Sequence, residues 1–268
     1  MKSENQKIIF LNSYLPRTGH NFASEVIRIF SDHEVLAHSR SETRLSSILH
    51  SYYSIYDRKI FHQSDKDFFD ELFIDNLRER ILNKSDKQYI MIKDTNLIGV
   101  DSLIRVFPND IHLILVRDPK SVFLSLIKGM RLEKRTKKNN LKRLGIKTGL
   151  YPYYYSKKLS KQVLQFLPDT SPLTIIRYEN LVKKEEKTIS ILKEKFGTLK
   201  SIEKIKEEID NIEVINSSFF NEVGAKGIWD MRPRTSNYNP LHRKGHSNLV
   251  RMSIALGSKN LRRRLGYI

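Results

Sequence analysis

Apolar residues along the chain fall into two kinds of pattern, short continuous runs and longer stretches at helical spacing. The short runs are rich in Ile, Leu and Val and predict strands at residues 8–13, 89–92, 111–116 and 173–177. The longer stretches carry an apolar side chain every three or four positions and predict amphipathic helices at residues 19–30, 68–82, 119–127, 181–196 and 202–212. Pro119 suits the first turn of its helix, and Gly197 suits the end of another.

The alternation of apolar strands with helices predicts the fold class. Near-continuous apolar strands separated by helices are typical of a mostly parallel sheet with helices on both faces. We therefore expect an α/β fold with a central, mostly parallel sheet flanked by helices. No linker rich in Pro, Gly or Ser divides the chain, so we expect a single domain over residues 1–268. The basic, tyrosine-rich residues 131–161 interrupt the alternation and predict an insertion or a mobile loop.

Composition removes several classes of protein. The 268 residues include no cysteine, which excludes a disulfide framework, a Cys-ligated metal site and a thiol nucleophile. The apolar run at residues 8–11 is too short for a signal peptide or a membrane span, so we expect a cytoplasmic protein. The histidines show no helical i,i+4 pair with a nearby carboxylate, and we expect no metal site.

Positive charge is concentrated in two segments. The net charge is +18, and residues 128–161 hold 12 basic side chains against one acidic, while residues 226–268 hold ten against one. Such segments attract polyanions. With its tyrosines, the first segment suits an anionic glycan or peripheral contact with an anionic membrane. The alternatives are a solvated lysine-rich surface and tyrosines that pack beneath a loop.

Two segments at predicted strand ends suit an anionic ligand. The first, Pro16-Arg17-Thr18-Gly19-His20-Asn21-Phe22, joins a strand to a helix and directs backbone N–H groups and the helix dipole at an anion. The G-x-x-x-x-G-K-[ST] pattern is absent, which disfavours ordinary ATP or GTP chemistry. The second places Arg117 at the end of a buried strand and Ser125 two helical turns later, where both can grip one phosphate. An ordinary turn and a local Arg117–Asp118 salt bridge are the alternatives.

Together these segments resemble the sulfotransferases that use 3′-phosphoadenosine 5′-phosphosulfate (PAPS), a family with a P-loop NTPase-like three-layer sandwich. The loop at residues 16–22 is similar to the family's 5′-phosphosulfate loop, and Arg117 with Ser125 is similar to its 3′-phosphate motif. Three further matches follow in the family's order. Tyr178 is similar to the family's tyrosine that approaches the adenine, and Ser217, Ser218 and Phe219 are similar to its adenine site. Arg243, Lys244 and Gly245 are similar to the segment that caps the 3′-phosphate. The resemblance spans about residues 8–267.

The resemblance implies PAPS as donor, 3′,5′-adenosine bisphosphate (PAP) as product and no metal. It also implies that Arg17, the loop N–H groups and Lys93 stabilise the departing bisphosphate. Many cytosolic members carry Lys-Thr-His at the preceding strand, with the His as base, whereas here Lys93 is kept and Thr95 takes the place of that His. Carbohydrate-acting members use a Glu after the first helix, and Glu42 is the first candidate at that distance.

Other readings of the base and of the function stay open at this point. Asp94 and His20 are reserve candidates for the base, although Asp94 suits a pair with Lys93 and His20 a loop hydrogen bond. We expect sulfuryl transfer to a hydroxyl of a carbohydrate or glycolipid, with an amine acceptor open. The alternatives are a nucleic-acid-binding domain without catalysis, a P-loop-like small-molecule kinase and a sulfotransferase fold without turnover. No nucleic acid is expected, because the phosphate-gripping residues fall at strand ends.

Overall fold

A five-stranded, all-parallel sheet forms the centre of the fold. The computed structural model describes residues 6–36, 42–130, 132, 136–168, 173–215, 231–232, 239, 241 and 245–268, without the side chains of 214, 215, 231 and 232. The strands of the sheet are β1 (Lys7–Ser13), β2 (Glu34–Val35), β3 (Tyr89–Asp94), β4 (Ile111–Val116) and β5 (Thr174–Arg177), in the spatial order β2-β3-β1-β4-β5. A separate antiparallel pair joins β6 (Val214–Ile215) to β7 (Met231–Arg232).

Helices connect these strands. In the described part of the chain they are α1 (His20–Ser31), α2 (Leu45–Tyr56), α3 (Gln63–Phe73), α4 (Leu77–Leu82), α5 (Val100–Val106), α6 (Pro119–Lys128), α7 (Lys137–Lys147), α8 (Leu150–Gln165), α9 (Tyr178–Val182), α10 (Glu186–Phe196), α11 (Ile202–Asp210), α12 (Asn248–Gly257) and α13 (Lys259–Arg264). The α/β fold with a parallel central sheet, predicted from the alternation of strands and helices, is confirmed.

Both faces of the sheet are covered, because successive side chains of a strand point to opposite sides. On one face, Ile9 and Leu11 of β1 pack with α1, α10 and α11. On the other face, Ile8 and Phe10 pack with α2 and α5, while Ile114 of β4 packs with α6, α8, α12 and α13. The result is a three-layer sandwich with β1 buried at its centre.

The order of the strands places a crevice at the carboxyl end of β1. Asn12 of β1 lies opposite Asp94 of β3 and Ile114 of β4, so these strands end at the same edge. The chain passes from β1 to β2 and β3 on one side and then crosses to β4 on the other. A parallel sheet binds ligands at such a reversal, beyond the carboxyl ends of its strands.

Two of the predicted helices are broken. The stretch 68–82 forms α3 and α4, because Asn76 between them adopts the left-handed conformation with φ 60°. None of the residues of α3 is buried: Phe68, Leu72 and Phe73 are between 50% and 59% exposed, while Phe69 packs on Tyr56 with ring centres 4.5 Å apart. The stretch 181–196 divides in the same way, since Lys184 with φ 54° separates α9 from α10. Gly197 ends α10 in the left-handed conformation, as predicted.

The segment expected to be an insertion or a mobile loop is helical. Residues 137–165 form α7 and α8, and α8 packs along α12. The packed face of α8 includes Ser156 and Ser160, both buried, so the interface uses small polar residues that the apolar pattern could not show. Tyr151 and Tyr155 stack with ring centres 5.6 Å apart, while Tyr154 is exposed. Packing therefore accounts for two of the tyrosines.

Candidate active site at the carboxyl edge of the sheet

The loop between β1 and α1 presents a helix N-terminus at the crevice. Gly19 precedes α1 with φ 110°, and no side chain caps the helix. Thr18 is fully buried and its hydroxyl donates a hydrogen bond to the Leu15 carbonyl at 2.6 Å, which fixes the loop. The first turn of α1 contains no acidic residue. Its N–H groups and the positive end of the helix dipole therefore suit an anion.

Tyr178 makes glycine necessary at position 19. Tyr178 begins α9 directly after β5 and is buried. A Cβ on Gly19 would lie 2.3 Å from two atoms of the Tyr178 ring, far inside van der Waals contact. The same ring meets Phe22 edge-on at 5.6 Å between centres. The loop and the end of β5 are thus packed as one unit.

Arg117 also lies over the Tyr178 ring. It follows β4, is only 2% exposed, and its guanidinium carbon lies 4.0 Å from the centre of the Tyr178 ring. The hydroxyl of Tyr14 donates to the Arg117 carbonyl at 2.6 Å. Burial raises the pKa of Tyr14 well above its usual value, so this hydroxyl stays protonated as a donor. The sheet edge therefore holds a buried, oriented cation.

Asp118, directly after Arg117, is held by residues from two other segments. The Asp118 N–H donates to Glu179 at 2.9 Å, and the Asp118 carboxylate caps α6 and forms a 2.9 Å ion pair with Arg262. Glu179 also accepts a hydrogen bond from the Tyr267 hydroxyl at 2.8 Å. Asp118 thus pairs with Arg262 of α13. Two turns into α6, Ser125 is buried.

Arg17 lies at the far end of α6. Its backbone adopts a left-handed conformation with φ 71°. One guanidinium nitrogen, Nη2, lies 3.5 Å from the place that a Cβ on Gly129 would take, directly after the last turn of α6. The negative end of a helix dipole attracts such a cation. Arg17 is therefore next to the helix that carries Ser125.

Lys93 links β3 to the first turn of α1. It is 2% exposed, and its Nζ donates to Asn21 Oδ1 at 3.3 Å. Burial and the charge of Lys93 lower the pKa of His20 to about 3. The imidazole is consequently neutral at pH 7, and a group with such a low pKa is a weak base.

Glu42 reaches the end of β3 through Thr95. The Thr95 hydroxyl donates to Glu42 Oε2 at 2.5 Å, and the Thr43 N–H donates to the Lys93 carbonyl at 3.1 Å. Glu42 is itself exposed. The carboxylate therefore lies at the carboxyl end of β3, beside the strand end that carries Lys93.

Asp94, by contrast, is held on both carboxylate oxygens. Ser46 donates to Oδ2 at 2.7 Å and Asn96 donates to Oδ1 at 2.5 Å. Burial raises the pKa of Asp94, and the Glu42 charge adds to the rise while the Ser46 hydrogen bond opposes it. Asp94 as a whole residue is 2% exposed, and its side chain connects β3 to α2.

The structure brings together the predicted residues of the loop at 16–22, the strand ends and Glu42. Of the late motifs, Ser217, Ser218, Phe219, Arg243 and Lys244 lie outside the described residues. Gly245 is described, exposed, and has φ 88°. Sequence reasoning assigned no role to Glu179, Tyr267, Ser46 or Asn96, because their partners are distant in the chain or lie in loops.

Two negative findings apply to the described residues alone. No three or more His, Asp or Glu side chains come together there in a way that could hold a metal ion. None of the helices in that part of the chain combines the length and the apolar character that crossing a bilayer requires.

Comparison with known proteins gives only distant structural similarity. No family model matches the chain, and no curated protein does. A mouse sulfotransferase complexed with PAP has a TM-score of 0.47 at 14% sequence identity, covering 98% of this chain and 83% of that chain. Retinol dehydratase in complex with androsterone and inactive cofactor PAP has a TM-score of 0.37 at 16% identity, covering 76% and 63%. A sulfotransferase from Mycobacterium tuberculosis H37Rv has a TM-score of 0.39 at 13% identity, covering 76% and 71%. Since these TM-scores are below 0.5, we draw no conclusion from them.

Proposed function

We propose that this protein is an enzyme that transfers a sulfuryl group from PAPS to an acceptor hydroxyl. The observation that carries the proposal is the stack of Gly19, Tyr178 and Arg117. It fixes a buried guanidinium and an uncapped helix N-terminus at one edge of the sheet. PAPS needs two anion sites, one for its 5′-phosphosulfate and one for its 3′-phosphate.

The residues present suit the two ends of the donor. The first turn of α1, with Lys93 and Asn21 beside it, would hold the 5′-phosphosulfate. Arg117 and Ser125, both buried, would hold the 3′-phosphate through charge-assisted hydrogen bonds. The Arg117 guanidinium lies over the Tyr178 ring. The role of Tyr178 next to the adenine of PAPS stays a prediction.

Glu42 is the best-placed base for the acceptor. In the proposed step, Glu42 takes the acceptor hydroxyl's proton while the acceptor oxygen bonds to sulfur. The bond between sulfur and the 5′-phosphate oxygen breaks, and its electron pair stays on that oxygen. Lys93 and the α1 N–H groups stabilise the resulting charge on PAP. The products are a sulfate ester and PAP.

The two reserve bases are less suited. His20 has a pKa of about 3, and both oxygens of Asp94 already accept hydrogen bonds. Glu42 has an exposed carboxylate that accepts from Thr95. By the resemblance to carbohydrate-acting sulfotransferases, a glutamate base implies a carbohydrate or glycolipid hydroxyl as acceptor, and this acceptor class is part of the proposal.

Calorimetric titration with PAP tests the donor site, with magnesium–ATP and an oligonucleotide as comparisons. We expect one-to-one binding of PAP and at least about 100-fold weaker binding to Arg117→Ala, since two charge-assisted hydrogen bonds are lost. Arg105→Ala is the matched control, because Arg105 also stacks on a tyrosine, Tyr53, at 3.9 Å, but its own side chain is about half exposed. Preference for magnesium–ATP would instead indicate a kinase, and salt-sensitive oligonucleotide binding a nucleic-acid-binding domain.

Transfer of a radiolabelled sulfuryl group from PAPS to carbohydrates, glycolipids and phenols tests the acceptor class. We expect carbohydrate or glycolipid products. Product only from phenols would contradict the acceptor assignment but would not affect the assignment of the donor site.

A further inference from the structure

The fold packs the two positively charged segments against each other. Helices α7 and α8 come from the first segment and α12 and α13 from the second, and α8 contacts the other three. The packing of α8 on α12 is close, since a Cβ on Gly257 would lie 2.1 Å from Ser156 Oγ. The four helices contain 13 Lys and Arg residues and no Asp or Glu. Two distant stretches of sequence thus form one basic surface.

Large apolar side chains stand on the outside of the same helices. On α12 they are Leu249, Met252 and Leu256, spaced by three and four residues along one stripe. On α7 and α8 they are Leu141, Leu144, Leu150 and Tyr154. All seven are between 49% and 72% exposed. Leu249 lies against Gly149, between α7 and α8, so the stripes meet at that corner.

Exposed lysines flank these side chains. On α7 and α8 the outward stripes also carry Lys137, Lys157 and Lys161. We call the seven apolar residues and these three lysines the basic–apolar face. A large exposed apolar patch bordered by basic side chains is typical of a surface that binds a partner.

We propose that the basic–apolar face docks this protein on an anionic lipid bilayer. Lysines next to a bilayer are attracted by its negative headgroups, and leucine, methionine and tyrosine side chains are stabilised in the interfacial layer. A nucleic acid would use the lysines but would leave the leucines in water. A second copy of the chain would bring like charges together. The bilayer is the occupant that uses both properties of the face.

Docking would also place the acceptor side of the crevice near the bilayer. Phe166 directly follows α8, and its ring meets the ring of His50 on α2 at 6.1 Å. Helix α2 begins three residues after Glu42. The helix that would lie on the bilayer therefore ends against α2, the helix that follows the proposed base, an arrangement that suits a lipid-linked acceptor. This last step rests on the proposed function, whereas docking itself does not.

Co-sedimentation of the full chain with vesicles, without donor or acceptor, tests docking separately from transfer. We expect binding to phosphatidylcholine vesicles that contain about 30% phosphatidylglycerol, and at least about tenfold weaker binding to pure phosphatidylcholine. The double variant Leu141→Ser/Leu144→Ser should bind about tenfold more weakly. The double variant Lys157→Glu/Lys161→Glu should bind these vesicles at least about 20-fold more weakly than the unaltered protein.

Matched controls lie outside the face. Leu199→Ser removes a fully exposed leucine between α10 and α11, and Lys187→Glu reverses an exposed lysine on α10. Both should bind like the unaltered protein. If the α7 double variant fails to fold by circular dichroism, Met252→Gln on α12 takes its place, with an expected loss of about threefold.

Three results would overturn the proposal. One is equal binding to neutral and anionic vesicles, or none to either. Another is unchanged binding by the leucine variants together with displacement by an oligonucleotide, which would indicate a nucleic-acid surface. The third is a concentration-dependent dimer that the leucine variants dissolve, which would assign the face to a second copy.

Discussion

At the scale of single residues, Gly19 connects the loop at residues 16–22, the proposed donor loop, to Tyr178. Its φ of 110° and the 2.3 Å approach of the Tyr178 ring act together, because a Cβ would be strained by the backbone and would also push the ring away. That ring carries the Arg117 guanidinium. A small change at position 19 is therefore transmitted to the proposed 3′-phosphate site.

Gly19→Ala should weaken PAP binding by about tenfold or more and lower the free energy of unfolding by about 1–3 kcal/mol. Calorimetry and urea denaturation measure the two effects. Gly197→Ala is the control, since Gly197 also has a positive φ of 63° but no atom lies within 4 Å of its Cβ position. It should cost stability and leave PAP affinity unchanged. Equal affinity in both variants would contradict the role of the stack.

Glu42→Gln should reduce kcat by about 10²–10⁴-fold, because the amide cannot take the acceptor's proton. Steady-state kinetics with the acceptor found in the transfer screen measures this. PAP affinity should not change, since Glu42 lies on the acceptor side. Glu71→Gln, an exposed glutamate on α3, is the control. A large loss in Asp94→Asn, with Glu42→Gln near normal, would move the base to Asp94.

At the scale of elements, the end of α13 supports the strand that carries Arg117. The Tyr267 hydroxyl donates to Glu179, which in turn accepts from the Asp118 N–H. Burial raises the pKa of Tyr267, so the hydroxyl stays a donor over the working pH range. Arg177 of β5 donates to the carbonyls of Leu265 and Gly266, at 2.9 and 3.1 Å. The last helix thereby fastens β4 and β5 at the site.

Tyr267→Phe should lower the free energy of unfolding by about 1–3 kcal/mol, because Glu179 loses a donor in a half-buried place. PAP binding should weaken severalfold through the Asp118 backbone. Urea denaturation and calorimetry test these two expectations, with the exposed Tyr154→Phe as the control. If Tyr267→Phe matches that control in both, the hydrogen bond does not support the site.

The elements that the sequence predicts well are those whose signals are local. Pro119 after a buried strand predicted α6, and the Ile, Leu and Val runs predicted the parallel strands. The pattern failed at α3, none of whose apolar residues is buried, and at α8, whose packed face uses Ser156 and Ser160. Asn76 and Lys184 interrupt two of the predicted helices because each adopts a left-handed backbone conformation. The spacing of apolar residues does not reveal such an interruption, so the sequence analysis missed both.

The residues of the candidate site also fall into those that local sequence signals predict and those that they do not. Arg117 and Lys93 follow from their places at strand ends, which the topology brings to one edge. The hydrogen bond between Thr95 and Glu42 joins residues 53 positions apart, and that between Tyr267 and Glu179 joins residues 88 apart. No pattern of spacing encodes such pairs. The sequence likewise does not predict that the Arg17 guanidinium lies beside Gly129.

At the scale of the whole molecule, a buried histidine makes stability depend on pH. His33 lies between Ser24 and Ser31, and burial, together with the charges of Arg28 and Lys93, lowers its pKa to about 3. The unfolded chain, with an ordinary histidine pKa near 6.5, binds a proton that the folded state does not. Stability is therefore full above about pH 6.5 and falls as the pH decreases toward 3.

Between about pH 7 and about pH 5, His33 should account for about 2 kcal/mol of lost unfolding free energy. Urea denaturation at both pH values measures the loss. In His33→Gln, which has no proton to gain, the difference between the two pH values should be smaller by this amount. His62→Gln, at an exposed position, is the control. An identical pH dependence in the unaltered protein and His33→Gln would show that His33 is accessible to protons.

The central place of β1 also sets the order in which the protein can be made. Ile9 pairs with Met91 on one side and with Ile111 on the other, so β1 does not have both of its partners until about 100 more residues have been synthesised. At ordinary rates of synthesis this takes about 5–20 s. During that time an apolar segment that is buried in the folded protein is exposed to chaperones and to other nascent chains. Translation speed across residues 14–110 therefore bears directly on the yield of folded protein.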